Sequence, residues 1–149
     1  MPVATCRRVT WLLMLAISAN SRTAAHAQEP RALSIIGSDY AFQAPDTITA
    51  GPVLVSFLNR GTVHHEMVLY VANEGASLGD YLRAMNAIER RRLGRTIGLL
   101  AAEPGQVSPA RLMANLVEGR TYVLLCHLQN APNEPPHSRL GMGKVLVVK

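Results

Sequence analysis

Gly, Pro, Asn and Asp cut most of this chain into short apolar runs, and that punctuation restricts the possible folds more than any other feature. Short runs rich in β-branched and aromatic residues between turn formers suit strands, whereas a helix shows a 3.6-residue period over about ten residues or more. Residues 32–36, 47–49, 53–58, 65–71, 112–117, 122–126 and 144–148 read as seven strands. Seven strands in a chain of 149 residues predict an all-β fold, a two-sheet sandwich.

One segment has the other period. Leu78, Tyr81, Leu82, Met85 and Ile88 recur at helical spacing, with Ser77 placed as N-cap and Asp80 three residues on, so the pattern predicts one helix over residues 78–92. Arg90, Arg91, Arg92 and Arg95 then gather at its negative end. They read as a solvated basic face or as a docking patch for an acidic partner. Lying between two strands, the helix should cover an edge or a core face on the flank of the sandwich.

The first 27 residues have the order of a cleavable export signal: Arg7 and Arg8, an apolar run over 11–19, then Ala25-His26-Ala27. The apolar run is too short to span a bilayer. Cys6-Arg7-Arg8-Val9-Thr10-Trp11 matches a twin-arginine signal only in part, so both export routes stay open. Residues 28–149 are then one exported domain, periplasmic or secreted. Arg7, Arg8 and Arg22 leave with the signal, and 12 basic side chains face 10 acidic ones in what remains. That near balance disfavours nucleic acid as a partner. Cys6 also leaves, so Cys126 stands alone in an oxidising compartment and no internal disulfide can form.

Four histidines remain: His64, His65, His127 and His137. Alternation along the strand that begins at His65 puts it on the face of Met67, Leu69 and Val71, while His64 shares a face with Glu66 and Tyr70. His65 should point inward. Cys126 ends the apolar run Tyr122-Val123-Leu124-Leu125, and its neighbour His127 should point the opposite way, which makes His137 its better partner. Met142, between Gly141 and Gly143, sits on a tight loop five residues after His137. Each has an ordinary structural role open to it: a hydrogen-bonded core histidine, a small buried thiol, a gap-filling thioether. Together, two imidazoles, a thiolate and a thioether form the His, His, Cys set with weak axial Met of a blue-copper site. Zinc suits this set less, since it rarely takes a thioether.

These residues occur in an order that resembles the plastocyanin/azurin-like cupredoxins. Asp39-Tyr40-Ala41-Phe42 and residues 48–53 are similar to that family's opening strands. Residues 58–66, with the turn Asn59-Arg60-Gly61, resemble the stretch leading to the first histidine ligand. Residues 118–126 resemble the strand that delivers the thiolate, and His137 with Met142 matches plastocyanin's final spacing. The resemblance implies a cupredoxin-like Greek-key β-sandwich with one helical insertion before the Cys-bearing strand. It also implies one mononuclear type 1 copper held by His65, Cys126, His137 and Met142 near the surface, where an exposed ligand histidine passes electrons. Two departures stand out. Ten residues separate Cys126 from His137, and His127 occupies a position where plastocyanin and azurin carry a small hydroxyl residue, which leaves it a competitor for the second histidine ligand.

The resulting expectation is a monomeric, exported electron carrier serving redox partner proteins, without enzymatic activity. The alternative is a non-redox copper module for storage, delivery or sensing. A zinc hydrolase with Glu66 as base is disfavoured, because Glu66 alternates away from His65 and Met142 would crowd the open coordination position. A sandwich that binds no metal remains the plain alternative to all of these.

Overall fold

The computed structural model describes residues 28–149; the export signal read over 1–27, with Cys6, lies outside the described residues. Nine strands follow in chain order: β1 Arg31–Ser38, β2 Ala41–Gln43, β3 Thr47–Ile48, β4 Gly51–Asn59, β5 His65–Ala72, β6 Gly94–Ala102, β7 Leu112–Leu116, β8 Thr121–Leu125 and β9 Gly143–Val148. One sheet has the order β2-β1-β4-β7 and the other β3-β9-β8-β5-β6. Each mixes one parallel pair, β1 with β4 and β3 with β9, into an otherwise antiparallel ladder. The chain leaves β6 for β7 in the facing sheet and returns to insert β8 between β5 and β9, so strands distant in sequence become neighbours.

Alternation explains the layers. In β4, Val53, Val55, Phe57 and Asn59 are buried while the residues between them are partly exposed, the pattern of a strand with one covered face. Val53, Val55 and Phe57 join Leu33 and Ile35 of β1, Met67, Leu69 and Leu124 of the opposite sheet, and Cys126 and Met142, in one core between the sheets. β5 is buried along its whole length. Its second face, with Val68 and Tyr70, joins Val123 and Leu125 of β8 in a smaller cluster closed by Tyr81, Leu78, Leu82 and Leu93 from the helical insertion.

That insertion differs from its expectation. It forms two short helices, α1 Leu78–Arg83 and α2 Ala87–Leu93. Ser77 and Asp80 do make a reciprocal capping box at the start of α1. The period through Met85 and Ile88 is accidental, since these side chains are 72% and 59% exposed. Asn86 ends any continuous helix by taking an extended conformation and accepting hydrogen bonds from the Ile88 and Glu89 amides as the N-cap of α2. The helices lie between β5 and β6, so two strands intervene before the one leading to Cys126, and they cover the outer face of the larger sheet.

β2 and β6 are two strands beyond the seven expected. β6 pairs with all of β5, but a register shift between Leu69 and Tyr70, opposite Gly98, breaks its alternation. At Gly98 the Leu112 side chain packs over the strand, and its Cδ1 would stand 2.5 Å from an added Cβ.

Candidate metal centre

The four sequence-predicted residues lie in or beside one end of the larger sheet. His65 opens β5, Cys126 directly follows β8, His137 begins a single 3-10 turn His137–Leu140, and Met142 links that turn to β9. The ten residues between Cys126 and His137 do not loosen the site, because backbone bonds clamp the loop where it closes. Ser138 N–H donates to the Cys126 carbonyl at 2.8 Å, His137 N–H to Leu128 at 2.8 Å, and Met142 N–H to His137 at 3.0 Å. Gly141 holds φ at 103°, a left-handed conformation that favours glycine, and thereby turns Met142 back into the core. The Asn59-Arg60-Gly61 turn is tied down similarly: Asn59 is fully buried, donates to the Val63 and Ala102 carbonyls, and accepts from Gly61 N–H.

His65, Cys126 and His137 converge. The Nδ1 atoms of the two histidines lie 3.0 Å apart, and Cys126 Sγ lies 3.3 Å from His137 Nδ1 and 3.9 Å from His65 Nδ1. A triangle with these sides has a circumradius of about 2.0 Å, so one point sits at about a metal–nitrogen bond length from all three donors. Met142 is fully buried in the same core cluster as Cys126, with its Cε 3.4 Å from where a Cβ on Gly37 would stand. His127 is not brought to this group. It points to the other face of the sheet, where Nε2 meets the Tyr70 hydroxyl at 2.9 Å and burial pushes its pKa down to about 4. His64 is at the surface, 3.0 Å from the Glu103 carboxylate.

The outer nitrogens decide which imidazole atoms are free. His65 Nε2 lies 3.1 Å from Asp39 Oδ1, an acceptor only, so Nε2 carries the proton and Nδ1 presents its lone pair. Asp39 stays ionised: the Thr62 amide and hydroxyl, then His65, hold its pKa at about 2. His137 Nε2 lies 2.8 Å from Asn130 Oδ1, whose amide group donates to the Tyr40 hydroxyl at 3.0 Å. Burial, and then the neighbouring His65, lower the His137 pKa below its ordinary value, which favours the neutral ring. Two bare lone pairs 3.0 Å apart repel unless a proton or a cation lies between them. The Cys126 thiol is pushed up to about 11 by burial, against the Glu66 amide that donates to Sγ at 3.4 Å, so a bound cation must displace its proton.

One expectation fails. Neither histidine of the triangle is exposed, as both have 0% accessible surface. Asn130 and the Tyr40 ring, 5.2 Å from His137 and edge-on to it, close that end. Tyr40 adopts φ 64°, a conformation rare for a bulky residue, of the kind that costs on the order of 1–3 kcal/mol and collects at functional sites. Asp39, Asn130 and Tyr40 are the site residues that sequence reasoning missed. Their partners stand 26, 7 and 90 positions away, and no local pattern connects them. The positive φ at Tyr40 leaves no trace in composition.

The arrangement is chemically suited to a cation that accepts both soft sulfur and imidazole. The structure resembles dithionite-reduced auracyanin from the photosynthetic bacterium Roseiflexus castenholzii, at 19% identity and a TM-score of 0.51 over 82% of this chain and 99% of that one. It also resembles auracyanin B, at 18% identity and a TM-score of 0.53 over 82% and 91%. Auracyanin A, a blue copper protein from the green thermophilic photosynthetic bacterium Chloroflexus aurantiacus, is similar at 21% identity and a TM-score of 0.48 over 81% and 100%. No protein-family model and no curated protein sequence matches the chain.

Proposed function

We propose that this chain, whose fold is that of the cupredoxins, is an exported electron carrier with one type 1 copper bound by His65, Cys126 and His137, and by Met142 as weak axial ligand. The donor triangle with its circumradius of about 2.0 Å carries this reading. Bound there, copper would supply a reversible one-electron couple. The chain supplies the frame: the two Nε2 hydrogen bonds orient the rings, and the backbone bonds across the closing loop hold sulfur and nitrogen in place. Donors assembled in the metal-free protein need little movement between oxidation states, which favours carrying electrons over releasing the ion. Burial of both histidines, with Asn130 and Tyr40 over His137, keeps bulk water from the donors.

Adding Cu(II) to the purified protein tests this directly. An intense visible thiolate-to-copper charge-transfer band should appear in the wild type and vanish in Cys126→Ser and His137→Ala, while His127→Ala keeps it. Absence of the band in the wild type, or its survival in Cys126→Ser, overturns the proposal. Loss in His127→Ala alone would reassign the second histidine.

A further inference from the structure

On the electron-carrier reading above, we infer that Asp39 is a positioning residue whose carboxylate fixes His65 for coordination through Nδ1 and biases the centre toward its oxidised state. The two histidines have unlike outer partners. His137 leans on the neutral Asn130 amide, whereas His65 leans on a carboxylate at 3.1 Å, an orienting pair of the kind that raises ligand basicity.

The pairing is built into the chain. Asp39 lies in the tight connection between β1 and β2, and Thr62 grips both of its oxygens, amide to Oδ1 and hydroxyl to Oδ2, each at 2.8 Å. Gly61 leaves the space: a Cβ there would stand 2.3 Å from Asp39 Oδ1 and 2.8 Å from His65 Nε2. Because the His65 ring is fully buried, this carboxylate fixes the ring's proton on the outer nitrogen. A fixed negative charge on the far side of the imidazole stabilises the divalent ion more than the monovalent one, by the extra unit of charge. Asn130 repeats the orienting geometry at His137 without the charge, so of the two outer hydrogen-bond partners Asp39 is the one that brings a charge.

Asp39→Asn separates the two roles, since it keeps an acceptor oxygen and the side-chain size but removes the charge. In the copper-loaded protein the visible band should persist, while Cu(II) affinity falls at least roughly tenfold relative to Cu(I). For one electron that tenfold change is a rise of about 59 mV in reduction potential. Asp39→Ala removes orientation as well, and should weaken the band. A reading that needs no variant is the ¹⁵N pattern of His65 in the metal-free wild type, which should show the proton on Nε2. If the band is present and the potential of Asp39→Asn is unmoved or lower, or if the His65 proton is on Nδ1, this inference falls while the electron-carrier proposal stands. A wild type without the band removes both.

Discussion

Gly61→Ala is the sharpest test of the packing around the donors. The added methyl would lie 2.3 Å from Asp39 Oδ1, and ordinary contact begins at 3.4 Å, so the carboxylate must retreat by about 1.1 Å or the turn must move. A retreat of that size takes the 3.1 Å contact to His65 beyond hydrogen-bonding range and pulls on both bonds from Thr62. Overpacking of this kind costs about 1–3 kcal/mol, and the lost hydrogen bond to a charged group falls within the same interval, so about 2 kcal/mol is expected for the whole change. For a domain of this size that is a fall of roughly 8 °C in Tm, readable by circular dichroism on the metal-free protein. Gly75→Ala isolates the other kind of cost, because its φ of +80° is unfavourable to alanine while nothing lies within 4 Å of the new Cβ, whereas Gly61 has no such φ and its cost is steric. Gly75→Ala should cost about 1 kcal/mol. In an Asp39→Ala background the penalty of Gly61→Ala should shrink, as the two positions share one space. A Gly61→Ala protein as stable as the wild type, or a penalty unchanged by Asp39→Ala, would refute the steric argument.

Asn130→Ala strips the acceptor from the buried His137 Nε2, and should lower the stability of the metal-free protein by about 1–3 kcal/mol in denaturant unfolding. Asp39 titrates at about 2 in the fold against an ordinary 3.8, so its contribution is complete above pH 3.8 and drains away as pH falls through 2; Asp39→Asn should flatten the acid-unfolding curve in that window and leave its shape at neutral pH unchanged. Asn86→Ala removes the cap that starts α2 and should cost about 1 kcal/mol in thermal unfolding, whereas a continuous helix through Asn86 would gain from alanine.

How far the sequence speaks depends on how local each constraint is. The inward direction of His65 follows from alternation within one strand, and the opposed directions of Cys126 and His127 follow from the same rule. Ser77 with Asp80 is equally local, and its capping box is present. The break at Asn86 was written three residues ahead of Glu89, but the apolar spacing of Met85 and Ile88 ran across it and masked it. β6 escaped notice because Gly98 and the register shift erase the period of two. The enclosure of His137 was illegible for a deeper reason: Tyr40 and Asn130 meet only after β1 and the closing loop have been brought to the same end of the sandwich.

The larger sheet works as a partition. Cys126 faces the interior shared by the two sheets, while the next residue, His127, faces Tyr70 on the side roofed by α1 and α2. Breathing or outright replacement of that roof reaches the three donors across a hydrogen-bonded wall, and along one direct link, from Arg139 in the turn that begins at His137 to the Arg83 carbonyl of α1. An engineer could graft a foreign recognition module in place of the two helices and retune what the molecule greets, provided the new module keeps an acceptor for Arg139, with the charge-transfer band proposed for the copper-loaded protein as the check on the interior.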